Sequence, residues 1–193
     1  FSEFLHGEER LDRLVDDLLD ISRTRTNQLE LHVTSCNIAA LVHEAVEEQR
    51  QAWPNRSITL NVLTEPVDTI SADSDRIKQV IMNYLTNALK YSANDRPVYV
   101  TVRKEAEQVC VAVKDEGVGL SPDEQAHIWE RFHRASGVEV QSTSQTSMMG
   151  LGLGLYICKA IIDQHHGRVG VDSTPGMGST FWFTLTPDRG RTG

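Results

Sequence analysis

The sequence predicts an α+β two-layer sandwich in which helices cover one face of a mixed β-sheet. Segments with the apolar periodicity of strands alternate with segments that have the periodicity of helices. Two Val-rich segments, residues 97–104 and 108–114, are separated by a short acidic turn, which is typical of an antiparallel hairpin. The chain has 193 residues, of which 39% are hydrophobic and 24% charged, so it is long enough for one globular domain and an appendage.

Residues 4–22 are predicted to form an N-terminal α-helix from a dimerisation bundle. Phe4, Leu11 and Leu18 are spaced seven residues apart, and further apolar residues fill the seam between them. A helix with such a stripe needs a partner to bury it, and a second copy of the same helix would serve. We therefore divide the chain into residues 1–30, which belong to the bundle, and residues 31–193, which form the sandwich.

The remaining elements follow from periodicity and from capping residues. Residues 23–36 are polar and irregular, which favours a connection. Residues 133–149 lack periodicity, and their Ser, Thr and Gln content is typical of a flexible surface loop. The predicted helices span residues 38–52, 74–92, 121–132 and 153–165, and the predicted strands span residues 57–63, 97–104, 108–114, 168–173 and 179–186.

Charge and composition argue against several function classes. The formal net charge of −8 argues against bulk binding of nucleic acid, which requires a basic face. No apolar run approaches the ~20 residues of a membrane span, so we expect no membrane contact. Cys36, Cys110 and Cys158 lack metal-ligand spacing, which favours buried thiols in a reducing, cytoplasmic setting. The chain begins at Phe1 without an initiator Met and is interpreted as a fragment of a longer protein.

The helix predicted over residues 74–92 places three polar side chains on one face. Asn83, Asn87 and Lys90 are spaced i, i+4 and i+7, so they are neighbours on the helix surface. An amide oxygen is a hard ligand suited to Mg²⁺, and a lysine supplies a point charge for phosphate. The face is therefore a candidate site for a metal ion and phosphates, although solvated asparagines on an exposed face would show the same pattern.

Two glycine-containing segments carry a second and a third signal. Asp115 follows a Val-rich strand and precedes Gly117 and Gly119, so its carboxylate could accept a hydrogen bond from an exocyclic amine such as that of adenine, although a simple turn also fits. Residues 150–155 alternate Gly and Leu at the start of a helix, where backbone N–H groups suit phosphates. A flexible hinge is the alternative, and neither a dinucleotide-binding nor a P-loop pattern is present.

In this order and spacing, the segments resemble the histidine kinase branch of the Bergerat-fold ATPases. The opening helix, residues 14–23, resembles the second dimerisation helix of that family. The other matching segments are residues 75–92 (N box), 115–120 (first glycine box), 128–134 (F box, with Trp129 where Phe is commoner), 150–157 (second glycine box) and 176–185 (closing glycine–strand motif). Residues 31–193 are accordingly identified as a catalytic ATP-binding domain.

The resemblance implies ATP and Mg²⁺ as cofactors and assigns roles to matching positions. Asn87 would ligate Mg²⁺, Asn83 and Lys90 would be the catalytic residues, and Asp115 would bind the adenine amine, with Thr180 nearby through water. Residues 133–149 become an ATP lid with Phe132 packed against its base. The full set implied to bind ATP is Asn83, Asn87, Lys90, Tyr91, Asp115, Gly117, Gly119, Leu120, Arg131, Phe132, Gly150, Leu151, Gly152, Leu153, Gly154 and Thr180.

One position bears on the mechanism. The ATPase branches of this superfamily carry Glu as a general base four residues before the metal-binding Asn, where this chain has Asn83. An amide cannot accept a proton at neutral pH, but a neutral imidazole nucleophile needs no base of this kind. The resemblance therefore implies a protein-histidine kinase that orients ATP for in-line attack by a histidine.

No histidine of the chain matches the phosphoacceptor motif of the family, so we expect the acceptor to lie outside it. His6 and His43 lack the following residues of that motif, and the adjacent His165 and His166 do not suggest a metal site. The expected partners are the dimerisation and phosphoacceptor domain, a response-regulator receiver domain and a second subunit in the full-length protein, which could be a membrane-bound sensor. The alternatives are a degenerate nucleotide-binding or dimer-scaffolding module, and a self-contained ATPase of the same fold.

Overall fold

The computed structural model describes residues 30–63, 69–133 and 152–187 of the chain. The chain divides into two compact units, Phe1–Leu31 and His32–Gly193, and almost all described residues belong to the second. The helix predicted over residues 4–22 and most of the predicted lid lie outside the described residues. The division at residue 30 therefore stays a prediction.

Seven strands form two sheets in the described part of the chain. The larger sheet has the order β2-β4-β5-β7-β6, in which β2 runs parallel to β4 and the other neighbours are antiparallel. The smaller sheet pairs β1 with β3. The strands are β1 (Thr34–Asn37), β2 (Ile58–Val62), β3 (Thr69–Ala72), β4 (Val98–Glu105), β5 (Gln108–Lys114), β6 (Arg168–Thr174) and β7 (Gly178–Leu185).

Four described helices accompany the sheets, and three of them begin at a side-chain cap. The Asn37 carboxamide oxygen accepts a backbone N–H of the first turn of α1, and the Asp73 carboxylate does the same for α2. Ser121 begins α3 with a capping box. The helices are α1 (Ile38–Ala52), α2 (Ser74–Tyr91), α3 (Pro122–His127) and α4 (Gly154–Gln164). None of these helices is long and apolar enough to cross a membrane.

The core lies where α2 and α4 pack against the larger sheet. Val113 of β5 pairs in register with Phe181 of β7, and both are buried with Phe183. The Tyr84 ring of α2 lies 5.6 and 6.2 Å from the two Phe ring centroids. These contacts hold α2 over β5 and β7, so the polar face of α2 lies near the strand end that carries Asp115. The predicted fold class, a mixed sheet packed against helices, is confirmed.

Two local predictions were wrong. The segment predicted to be an irregular connection contains most of β1, and β3 was not predicted. Each strand has only four residues, which is too short a run for a period of two to be recognised, and β1 is also largely exposed. The helix expected to reach Phe132 ends at His127, since α3 buries no residue and so lacks packing that would extend it. Phe132 itself has a φ of +59°, which is incompatible with a continuing right-handed helix.

Candidate active site

Asn83, Asn87 and Lys90 lie on α2 at the predicted helical spacing, and the two asparagines are in contact. Asn87 Nδ2 donates to Asn83 Oδ1 at 3.1 Å, so the two amides form a pair. Lys90 is only 7% exposed, and its ammonium lies 4.9 Å from the centroid of the Tyr91 ring. The last two turns of α2 therefore present two amides, a shielded cation and an aromatic ring side by side.

The start of α4 lies directly against this face. A Cβ atom at Gly154 would lie 3.1 Å from Asn83 Cγ and closer still to Nδ2, so only glycine fits there without moving the amide. The preceding Leu153 is buried and has no polar side chain to cap the helix, so the first N–H groups of α4 receive no side-chain cap from it. Gly150 and Leu151, the other members of this predicted segment, lie outside the described residues.

The carboxylate of Asp115 lies just beyond the end of β5 and is only 4% exposed. Its Oδ1 accepts the N–H of Gly117 at 2.8 Å and that of Ser179 at 3.3 Å. Burial raises the pKa of the Asp115 carboxyl above its ordinary value, and the two N–H donors partly counteract this rise. Both hydrogen bonds fix the orientation of the side chain and engage the same oxygen atom.

The glycines around Asp115 allow close backbone approach. A Cβ at Gly117 would overlap the carbonyl oxygen of Tyr91, and one at Gly119 would overlap that of Thr174. Gly119 also has a φ of +68°, a conformation that favours glycine. The Leu120 N–H donates to Ser173 Oγ at 2.8 Å, which anchors the end of this turn. The first glycine segment is thus packed between the end of α2 and the β6–β7 turn.

Thr180 does not lie on the same side of the sheet as Asp115. It pairs in register with Lys114, whereas the neighbouring Ser179 has the parity of the core residue Phe181 and donates its N–H to Asp115. The sequence reasoning therefore missed Ser179, which is buried beside the carboxylate. The missed signal is the period of two: in β7, Ser179 and Phe181 must share a face and Thr180 must not.

The F-box residues lie at the edge of the described region. Arg131 Nη2 donates to the Tyr156 hydroxyl at 2.6 Å, and its guanidinium lies 4.6 Å from the centroid of that ring. The Phe132 side chain is 66% exposed, while its N–H donates to the carbonyl of Gly152 at 3.0 Å. Gly152 has a φ of +67°. The contact of Phe132 with a lid stays a prediction, because residues 134–151 lie outside the described residues.

Residues 72–189 match the family of histidine kinase-, DNA gyrase B- and HSP90-like ATPases. The chain belongs to this family. The chain is 33% identical over 177 residues to the adaptive-response sensory kinase SasA of Rippkaea orientalis (strain PCC 8801 / RF-1), covering 91% of this chain and 44% of the relative. It is 34% identical over 188 residues to a bacteriophytochrome of Pseudomonas aeruginosa, covering 97% of this chain and 25% of the relative. The chain thus spans less than half the length of these curated relatives.

Solved structures give the same assignment for the ATPase domain. The crystal structure of full-length ShkA in complex with AMPPNP matches with a TM-score of 0.76 and 29% identity, over 93% of this chain and 36% of that one. The catalytic domain of the histidine kinase ThkA matches with a TM-score of 0.66 and 26% identity, over 81% of this chain and 96% of that one. The described residues therefore form an ATP-binding catalytic domain of the sensor histidine kinase type.

Proposed function

We propose that the chain binds Mg²⁺·ATP between α2 and the start of α4, and that it transfers the γ-phosphate to a histidine outside the chain. The observation that carries the proposal is the contact between Gly154 and Asn83. This contact places the start of α4, which has an apolar N-cap residue, against the face of α2 that carries two amides and a shielded lysine. Such a helix start favours anions, because its N–H groups and dipole point toward the ligand.

The adenine end of the proposed site is Asp115. Its Oδ1 accepts two backbone N–H groups, so Oδ2 remains to accept the exocyclic amine of adenine. Guanine presents a carbonyl oxygen at the equivalent position, and a carboxylate would repel it. Because the carboxylate is buried, leaving its Oδ2 without a donor would cost binding free energy. The site should therefore bind adenine nucleotides more tightly than guanine nucleotides.

The amide pair supports a role for Asn87 in holding Mg²⁺. Because its Nδ2 donates to Asn83, its Oδ1 faces away from that bond and is the atom able to ligate a metal ion. One amide oxygen is a sufficient protein contribution, since Mg²⁺ keeps several waters and takes further ligands from the phosphates. When bound, Mg²⁺ would neutralise phosphate charge, and Lys90 would add a second positive charge.

Asn83 decides between transfer to histidine and hydrolysis. It cannot act as a general base toward water, so the site orients ATP without activating a hydroxyl or water nucleophile. A neutral imidazole attacks without such a base, and the acceptor would come from a dimerisation and phosphoacceptor domain. We further propose a homodimeric full-length protein, a response-regulator receiver domain as phosphoryl acceptor from that histidine, and a cytoplasmic location for this domain.

The first test is calorimetric titration of the chain with Mg²⁺ and a non-hydrolysable ATP analogue. We expect binding that weakens sharply without Mg²⁺ or with Asn87→Ala, and that is lost with Asp115→Ala. The second test adds a separately prepared phosphoacceptor domain and radiolabelled ATP, and we expect acid-labile label on its histidine. A folded native chain that does not bind the analogue would overturn the proposal, and steady hydrolysis by the isolated chain would favour a self-contained ATPase.

A further inference from the structure

The N-terminus of α2 lacks a local partner for one backbone donor. Asp73 caps the helix by accepting the N–H of Arg76 at 3.2 Å. In a complete capping box, the residue three positions after the cap also accepts the N–H of the capping residue. In α3 this residue is Glu124, whose Oε2 accepts the N–H of Ser121 at 2.8 Å. In α2 the same position is Arg76, whose guanidinium has only donors.

His165 supplies the missing acceptor from 92 residues away. The Asp73 N–H donates to His165 Nε2 at 3.0 Å. The other ring nitrogen, Nδ1, lies 2.8 Å from the carbonyl oxygen of Ile161 in α4. Because a carbonyl oxygen can only accept, Nδ1 carries the proton and Nε2 carries the lone pair. One neutral imidazole therefore completes the N-terminal cap of α2 and binds a terminal carbonyl of α4.

The same pair of helices also meets at a second polar contact. At the other end of α4, Gly154 lies against Asn83 of α2. Asp73 and Asn83 are separated by ten residues of α2, or about 15 Å, and Gly154 and His165 by eleven residues of α4, or about 16.5 Å. The two helices are thus antiparallel here and are held at matched distances along their axes. A slide or tilt of α4 would have to break one of these contacts.

We propose that His165 is a positioning residue that sets the placement of α4 against α2, so that the start of α4 meets Asn83 in the geometry that binds the nucleotide phosphates. This inference rests on the proposed function of that site. His165 does not touch the nucleotide. Its effect is transmitted along α4, and it should be felt by the phosphates and not by the adenine end at Asp115.

Two substitutions at His165 separate its two hydrogen bonds. Asn places its amide near the position of Nδ1 and is too short to reach Asp73, whereas Gln can place Oε1 near the position of Nε2 and accept the Asp73 N–H. His166→Asn is the matched control, because His166 is exposed and Asn tolerates its φ of +57°. By calorimetry with Mg²⁺·AMPPNP, we expect affinity about fivefold weaker for His165→Asn, the scale of one lost hydrogen bond, and near-native affinity for His165→Gln and His166→Asn.

A second-site change distinguishes positioning from simple helix capping. Arg76→Glu provides a local acceptor for the Asp73 N–H and so repairs the cap without restoring the contact to α4. In the His165→Asn background we expect Arg76→Glu to recover the lost thermal stability and to leave the AMPPNP affinity weak. Recovery of both quantities would show that His165 only stabilises the fold, and would overturn the proposal. Unchanged affinity in His165→Asn, or equal losses in the Asn and Gln variants, would also overturn it.

Adenosine serves as the probe for the unaffected end of the site. Its binding, followed through the Gly117 and Gly119 amide resonances, should be the same in the native chain and in His165→Asn, and an equal loss for adenosine and AMPPNP would contradict the proposal. Failure of the native chain to bind AMPPNP would instead refute the proposed function. If His165→Asn alone does not fold, the comparison of the doubly substituted chain with Arg76→Glu in the native background carries the test.

Discussion

Substitution of Gly154 by Ala is expected to damage nucleotide binding while leaving the fold intact. The new methyl group would lie 3.1 Å from Asn83 Cγ and closer to Nδ2, inside the roughly 3.5 Å at which such atoms normally touch. The obstructing atoms form the end of a side chain and not backbone, so the Asn83 amide can rotate away by about 1 Å. The rotation removes the amide from its hydrogen bond with Asn87.

Gly154→Ala should change the free energy of unfolding much less than it changes the free energy of nucleotide binding. Loss of one partly buried amide–amide hydrogen bond costs about 0.5–1.5 kcal/mol, and replacing glycine by alanine within a helix returns up to about 1 kcal/mol. The free energy of unfolding should therefore change by less than about 1 kcal/mol. The loss of an amide contact to a charged phosphate costs about 1.5–3 kcal/mol, which corresponds to a dissociation constant about 10- to 150-fold larger for Mg²⁺·AMPPNP.

A double-mutant cycle tests this reasoning. Calorimetry and thermal unfolding would be measured for the native chain, Gly154→Ala, Asn83→Ala and the double variant. Once Asn83 is truncated, the methyl group has no amide to displace, so Gly154→Ala should weaken binding little further. Equal losses in both backgrounds, or native affinity in Gly154→Ala, would refute the contact between α4 and Asn83 as the determinant of binding.

Three further outcomes are expected from buried polar groups. Asp115→Asn should raise the melting temperature at pH 7 while weakening ATP-analogue binding. Because burial raises the pKa of the Asp115 carboxyl, the native chain is more stable at low pH, where this group is neutral, and loses that stability as the pH rises. The difference in melting temperature between the variant and the native chain should therefore shrink toward about pH 4. Tyr84→Phe should leave stability unchanged or raise it by about 1 kcal/mol in urea unfolding, because the buried hydroxyl has no partner within the described residues. Arg56→Met should cost about 3 kcal/mol or more in the same assay, because Arg56 Nη1 and Nη2 donate to the Leu89 carbonyl and the Ser92 hydroxyl at 2.7 and 2.6 Å.

Elements with strong local signals could be predicted from the sequence. The apolar stripe of α2 and the caps at Asn37 and Ser121 each depend only on residues that are close together in the sequence. Each helix accordingly begins within a residue or two of its predicted start. β1 and β3 were not predicted because strands of four residues are defined by their pairing with each other and carry too short a pattern of their own. The end of α3 was not predicted because nothing in its sequence signals that no residue of the helix becomes buried.

Within the site, the period of a single helix correctly predicted which side chains share a face. The assignment in β7 failed, because it was taken from the resemblance to a motif and not from the period of the strand. Asn83 and Asn87 are in contact, and Lys90 follows at the spacing of the same helical face, because the period of the helix alone determines these positions. Thr180 was assigned to the adenine end on resemblance alone, although the strand period of two favours Ser179, which has the parity of Phe181. The alternation of side chains along β7 is therefore sufficient by itself to select Ser179.

The glycines show why motif residues cannot be assigned to ligand binding alone. Gly117 lies against the Tyr91 carbonyl, Gly178 against that of Asp115, and Gly154 against the Asn83 side chain, so each also marks where two segments of the site meet. A sequence pattern reports the glycine but not its second partner, because that partner is distant in the chain. Loss of nucleotide binding on glycine substitution is therefore not evidence of a ligand contact by itself. Only a cycle that removes the protein partner, as with Asn83, separates packing from binding.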